Sequence, residues 1–260
     1  MLLSANLVLY IIKTNYCEII YVGVDVKAAI LAGGFGKRLR PLTDDRPKPL
    51  IDIAGKPIIL WQIEWLKKHG IRDLVVLVGY KRNMIIDELG SGARYGVKIS
   101  YVVEEEPLGT GGALKNAEHI LSKEEYFLLI NGDIITNLRP MDLVDLLMRR
   151  KSTIASIAVV PLRSPFGIVR VRDDGGVDSF IEKPVIPEYM INAGVYAMRP
   201  EIFSYLPEKG DIERTCFPKL ASEGRMVAKI YDSSIYWRSI DTIKDIEEVS
   251  SDIADRRLVI

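Results

Sequence analysis

With 260 residues, 48% of them hydrophobic and 27% charged, the chain has the composition of a soluble globular protein with a sizeable core. Its 35 lysines and arginines balance 35 aspartates and glutamates, so no global charge directs it to nucleic acid or membrane, and any anion site is local. Two cysteines (Cys17, Cys216) and two histidines (His69, His119) exclude a disulfide framework, argue against a zinc site, and fit a reducing, cytoplasmic setting.

Residues 1–26 carry an apolar run broken by Asn6, Lys13, Asn15 and Glu18, too short and too polar to span a bilayer. They lack the basic start and small-residue cleavage site of a signal peptide. They read as an N-terminal extension, an extra strand or an over-long start, before a domain that begins near Lys27. From there short apolar runs alternate with amphipathic stretches. "AAILA" reads as a strand, and "PIILWQIEWLKKHG" as a helix with Pro57 near its start and Gly70 at its end. "LVVLV", "VKISYVV" and "YFLLI" read as strands, and "RNMIIDELG", "GGALKNAEHIL" and "MDLVDLLMRR" as helices, the second of these as one continuous element.

Continuous apolar strands separated by helices predict a parallel sheet covered on both faces, a doubly wound Rossmann-like α/β unit over residues 27–150. After Arg150 the texture changes to "TIASIAVV", "GIVRVRDDGGVDSFI" with its hairpin signal, and "INAGVYAM". A helix near 211–223, a further strand and a closing amphipathic helix follow. Without a linker or an internal repeat, residues 151–260 extend the same mostly parallel, mixed sheet as a second half of one domain, 27–260.

The segment leaving the first strand, "AILAGGFGKRLRPLTDDRPKPL" (residues 29–50), places Gly33, Gly34 and Gly36 beside Lys37, Arg38, Arg40, Arg46 and Lys48. A Walker loop is excluded, because it would need glycine at Leu31 and Ser or Thr at Arg38. The dinucleotide fingerprint fails as well, with Leu39 where its last glycine belongs. What remains is a glycine turn whose backbone amides can approach an anion, followed by cations that answer its charge. On the loop alone, a solvated basic face is the alternative.

"LAGGFGKRLRPLTDDRPKPLIDIAGKPII" resembles the opening signature of the sugar-1-phosphate nucleotidylyltransferases, the NDP-sugar pyrophosphorylases, with Lys37 where that family usually has threonine. The resemblance continues through "EEEPLGTGGAL", "LLINGDII", "SPFGIVRV", "FIEKP", "INAGVYAM" and "DIERTCFPKLASEGRM", from Lys27 to about Asp252. It implies the nucleotide-diphospho-sugar transferase fold, with a nucleotide-binding half before Arg150 and a sugar-binding half after it. It also implies in-line attack of a sugar-1-phosphate oxygen on the α-phosphate of an NTP, with Mg²⁺ as cofactor and pyrophosphate leaving. The substrates are then its small-molecule partners, and assembly into a homo-oligomer is left open.

By the same resemblance Arg38, Lys48 and Lys183 are the catalytic cations, and Leu31, Ala32, Gly33, Gly34, Gly36, Lys37, Glu104, Gly109 and Thr110 contact the nucleotide. Gly167, Glu182 and Asn192 meet the sugar, although Asn192 before Ala193-Gly194 reads equally as a turn residue. Asp133 is the first metal ligand. The second is displaced: relatives read Trp-x-Asp-hydrophobic-Gly-Thr, whereas "WRSIDT" has Ser239 at the aspartate position and Asp241 at the glycine. Asp241 or a water supplies that ligand, or the site uses one carboxylate, or catalysis is impaired. Glu104, where uridylyl and thymidylyl relatives often carry glutamine, suits the adjacent N–H donors of guanine and leans towards GTP, and its loop resembles that of guanylyltransferases acting on mannose- or heptose-1-phosphate. Glu104, Glu105 and Glu106 read equally as a solvated face before Pro107. The alternatives are a glucose-1-phosphate thymidylyl- or uridylyltransferase and a non-catalytic nucleotide-sugar-binding subunit.

Overall fold

The computed structural model describes the backbone of residues 7–14 and 17–258, and side chains from Asp25 to Leu258. Of the expected N-terminal extension, residues 1–6 and 15–16 lie outside the described residues. The remainder forms not one strand but an antiparallel hairpin, β1 (Leu7–Thr14) and β2 (Cys17–Val24). The chain then enters β3 (Lys27–Ala32), whose Ala28, Ala29 and Ile30 are fully buried.

The opening loop contains a single helical turn, α1 (Leu42–Asp45), and a two-residue-arm hairpin, β4 (Asp52–Ile53) with β5 (Lys56–Pro57). Helix α2 (Ile58–Lys68) follows. It stops where the sequence predicts: Gly70 takes φ +83°, its N–H bonds Lys67 O and that of Ile71 bonds Leu66 O, a Schellman closure that a side chain at Gly70 would strain. Strand β6 (Asp73–Val78), helix α3 (Arg82–Leu89) and strand β7 (Lys98–Val103) complete the first crossovers.

The expected single helix over "GGALKNAEHIL" is two, α4 (Gly109–Asn116) and α5 (Glu118–Leu121). At the junction the Ala117 N–H bonds Leu114 O three residues back, a tightened turn, and Asn116 Nδ2 donates to Val103 O on the neighbouring strand. Next come β8 (Phe127–Asn131), β9 (Ile134–Thr136), α6 (Met141–Arg149) and β10 (Ala155–Arg163). A hairpin of β11 (Ile168–Val171) and β12 (Val177–Ile181) leads into the long β13 (Val185–Met198). Helix α7 (Ile212–Ser222), strands β14 (Met226–Ile230) and β15 (Trp237–Ser239), and helix α8 (Ile243–Ala254) end the described chain.

Strands from both halves share one seven-stranded sheet in the order β14-β10-β13-β8-β3-β6-β7. β13 runs against its neighbours β10 and β8, while the β10–β14, β8–β3, β3–β6 and β6–β7 pairs are parallel. This is the expected α/β fold with a mostly parallel mixed sheet. Alternation along each strand divides its side chains between two cores. Ala28, Ile30, Leu74 and Val76 pack with α2, α3 and α6 on one face; Ala29, Val75, Phe127 and Leu129 pack with α4 and α7 on the other. A third, smaller core joins Leu39, Ile51, Ile53, Ile58, Ile135, Ile240 and Val249, beside the carboxyl ends of β3 and β8. The strand order reverses at β3, so a crevice opens beyond its carboxyl end, where such sheets hold ligands.

Candidate active site

A cleft of about 410 Å³ lies at that crevice. All of the expected nucleotide contacts line it: Leu31, Ala32, Gly33, Gly34, Gly36, Lys37, Glu104, Gly109 and Thr110. So do Arg38, Lys48, Asp133 and Asp241.

The glycines are there for close approach. Gly36 has φ +61°, and a Cβ on it would sit 2.8 Å from the Thr43 methyl and 3.0 Å from Lys48 Cβ. Thr43 Oγ1 in turn donates to Gly36 O, folding the loop back on itself. A Cβ on Gly33 or Gly79 would run into the Glu104 carboxylate, which is wedged between them. Leu108 N–H donates to Glu104 Oε2 at 3.3 Å. Burial raises the Glu104 carboxyl above its ordinary range, and that backbone bond only partly offsets the effect. Gly109 and Gly111 press on the Gly210 backbone, and the N–H groups of Gly111 and Gly112 both bond Gly210 O. Thr110 lines the cleft but its hydroxyl is engaged below it, donating to Glu213 and accepting from Ile212 N–H at the start of α7.

The charged centre is built by strand pairing. β15 pairs antiparallel with β9, Ser239 opposite Ile134, and the Ile240 N–H continues the ladder to Asp133 O. That brings Asp241 beside Asp133. Lys48 Nζ lies 2.7 Å from Asp133 Oδ2 and 3.0 Å from Asp241 Oδ1. Arg38 Nη2 reaches the same Asp241 oxygen at 2.8 Å, and Ser239 Oγ donates to the other oxygen at 2.9 Å. Burial pushes the Asp241 carboxyl up, but Lys48, Ser239 and Arg38 together outweigh it and hold the group below its ordinary range. The Lys48 side chain is 14% exposed and that of Arg38 74%, so the lysine is embedded while the arginine reaches out from the loop.

Among the described residues no group of three or more His, Cys, Asp or Glu forms a metal cage. The donor set is instead a carboxylate pair, Asp133 and Asp241, that shares the Lys48 ammonium, with Arg38 also on Asp241. It fits Mg²⁺, which takes one or two carboxylates and completes its shell with phosphate oxygens and water.

Four expected residues lie apart from this cleft lining. Gly167, Glu182 and Lys183 gather at the base of the β11–β12 hairpin, where a Cβ on Gly167 would meet Phe180 and Glu182 and where Lys183, at φ +45°, stands 3.7 Å from Glu182. Asn192 has a turn residue's bonds: its Oδ1 accepts from Gly194 N–H and its Nδ2 donates to Tyr196 Oη. It flanks a bulge in β13, between Asn192 and Tyr196, where Gly194 takes φ +67° and Trp237 Nε1 donates to Ala193 O.

Phe35, Asn131, Gly132 and Asp211 also line the cleft without having been singled out as contacts. At Gly132 any Cβ would collide with Leu31 O, so the turn before Asp133 admits only glycine, a requirement that only the folded chain reveals. Asp211 arrives through the packing of Gly210 on α4.

Residues 27–256 match the family model described as nucleotidyl transferase. The chain belongs to the nucleotidyl transferase family. It is 37% identical over 229 residues to a mannose-1-phosphate guanyltransferase of Yarrowia lipolytica, a match covering 85% of this chain and 62% of that protein. The chain thus spans under two thirds of the length of such curated relatives. HddC from Yersinia pseudotuberculosis superposes with a TM-score of 0.69 at 29% identity, over 88% of this chain and 99% of that one. The same protein complexed with GMP-PN superposes at 0.67.

Proposed function

We propose that the chain transfers the guanylyl group of GTP to mannose 1-phosphate, giving GDP-mannose and pyrophosphate. The observation that carries this reading is the convergence of Arg38 and Lys48 with Asp133 and Asp241 beside a glycine loop at the sheet's switch point. Similarity to mannose-1-phosphate guanyltransferases supports the choice of substrates.

In the reaction a phosphate oxygen of mannose 1-phosphate forms a bond to the α-phosphorus of GTP. The bond from that phosphorus to the bridging oxygen breaks, and pyrophosphate leaves with the electron pair. The nucleophile is already anionic, so no proton is transferred and no general base is required. What the protein supplies is juxtaposition of two like-charged ions and charge stabilisation at the reacting phosphoryl group. Arg38, anchored at the loop and exposed at its tip, grips the triphosphate and stabilises the departing pyrophosphate. Lys48 contacts phosphate from below; its backbone is not extended between Pro47 and Pro49, as that dipeptide pattern would suggest, but opens a single 3₁₀ turn, Lys48–Leu50, after the extended Pro47. Gly33 and Gly34 let the backbone approach the nucleotide, and the free oxygen of Glu104 accepts from the guanine edge. Lys183 and Glu182 address the sugar phosphate and its hydroxyls from the hairpin side. Mg²⁺ held by Asp133 and Asp241 would screen the charge between the phosphates when bound.

The test is pyrophosphate release with Mg²⁺, crossing four NTPs against mannose-, glucose- and N-acetylglucosamine-1-phosphate. Turnover is expected with GTP and mannose 1-phosphate, and Arg38→Ala and Asp133→Ala should each lower kcat roughly 10²–10³-fold. Turnover with UTP or dTTP and glucose 1-phosphate instead would move the reading to that transferase. Nucleotide-sugar binding without any turnover would make the chain a non-catalytic subunit.

A further inference from the structure

We propose that Ser239 is a positioning residue for the metal-facing carboxylate of Asp241, an inference that rests on the metal role proposed for that aspartate. Residues two apart in extended chain share a face, which sets the Ser239 hydroxyl beside the carboxylate of Asp241, the one of the two that lines the cleft. The backbone of Asp241 is fixed independently, because its N–H donates to Asp245 Oδ2 at 3.0 Å. What remains free is rotation of the carboxylate itself, a broad torsion with little intrinsic preference.

The Ser239 hydroxyl restrains it from one side, as Lys48 and Arg38 do from the other. It donates to Oδ2 at 2.9 Å and leaves Oδ1 as the oxygen turned towards Lys48 and Arg38. Lys48 Nζ also meets Asp133 Oδ2, so Oδ1 of Asp241 and Oδ2 of Asp133 are the pair of oxygens that face one positive charge. Serine suits this task because it is short, neutral and a donor. A second carboxylate at position 239 would set like charge against Asp241 and offer no proton to orient it. The residue that looks like a lost ligand therefore acts as the partner of a relocated one.

Partners that orient a ligating carboxylate typically change metal affinity 10–100-fold. The experiment is Mn²⁺ binding followed by the electron paramagnetic resonance signal of free Mn²⁺, on the full chain alone and with GTP. Wild type, Ser239→Ala, Ser239→Thr and Asp241→Asn are compared, with circular dichroism melts to show that each is folded. Ser239→Ala is expected to weaken Mn²⁺ binding roughly 10–100-fold, Ser239→Thr to restore it, and Asp241→Asn to abolish it. In turnover, Ser239→Ala should raise KM for Mn²⁺ more than it lowers kcat. Mn²⁺ affinity in Ser239→Ala equal to wild type, or in Asp241→Asn equal to wild type, would overturn the proposal. Should GTP leave Mn²⁺ affinity unchanged, the guanylyl reading fails while the comparison on the chain alone still decides the role of Ser239. A wild-type chain that binds no Mn²⁺ in either condition overturns both.

Discussion

At the scale of single residues, Glu104 shows how much an identical neighbour can mislead. The run Glu104-Glu105-Glu106 offers three carboxylates to sequence reading, and a solvated face before Pro107 describes two of them well. Glu105 pairs with Arg82 at 3.0 Å and Glu106 with Lys209 at 2.7 Å, both at the surface. Only Glu104 turns inward, and the reason is the absence of side chains at Gly33 and Gly79. No local pattern encodes that, since Gly79 lies in a different crossover. Glu104→Gln should lose preference for GTP over UTP, because an amide whose oxygen takes the Leu108 N–H presents N–H₂ rather than an acceptor to the guanine edge; competition assays with the two nucleotides measure it. The pH dependence has a definite sign. Burial raises this carboxyl, so in the folded protein it protonates before an ordinary glutamate (about 4.3) as pH falls. Folded-state stability from this group alone rises as pH drops through its raised pKa, while affinity for guanine declines over the same interval. A GTP KM that is flat down to pH 4 would contradict this.

At the scale of elements, the start of α8 ties local helix chemistry to the site. Thr242 Oγ1 accepts from Asp245 N–H, and the Asp245 carboxylate accepts from the Thr242 N–H and hydroxyl, a reciprocal cap. The same carboxylate takes the Asp241 N–H. Thr242→Ala should cost about 1 kcal/mol in urea unfolding, the usual worth of an N-cap. Asp245→Ala should match that loss and also raise KM for metal, since it frees the Asp241 backbone. The helices punctuated by proline and glycine were legible in the sequence, α2 most clearly. The division of α4 from α5 was not, because the apolar pattern runs on through Ala117 and the break comes from a tertiary bond to Val103.

At the scale of the whole molecule, the alternation of apolar runs with amphipathic helices made the parallel core of the sheet readable, and the glycine loop marked one wall of the cleft. The antiparallel insertion of β13 was beyond such reading. Its 14 residues change from exposed to buried halfway and pass through a bulge, so neither period nor length announces one strand. The placement of Gly167, Glu182 and Lys183 was harder still, for it depends on a hairpin whose strands β11 and β12 are exposed along their length. The third core has its own consequence for stability. Ile240 is fully buried there between the opening loop and α8. Ile240→Ala should cost roughly 2–5 kcal/mol if the loss is felt globally. Because this core is separate from the two that clamp the sheet, its loosening is expected first as faster amide exchange in residues 36–51 and 237–258. Uniform acceleration across β3 and β6 as well would show the three cores to be one cooperative unit.

The ion pairs around Lys48 can also be considered as a small electrolyte. Arg38, Lys48, Asp133 and Asp241 sum to zero formal charge, and each already has an opposite partner. A lone divalent cation approaching the carboxylates meets an ammonium, and a lone polyanion approaching the cations meets carboxylates. Each must displace an existing partner, so each alone binds more weakly than the two do together. On the reading proposed above, Asp133 and Asp241 would hold the metal when it is bound, and Lys48 and Arg38, released from those carboxylates, would hold phosphate. The resting protein is thereby a closed circuit of charge that opens more readily to a matched pair of ions than to either alone.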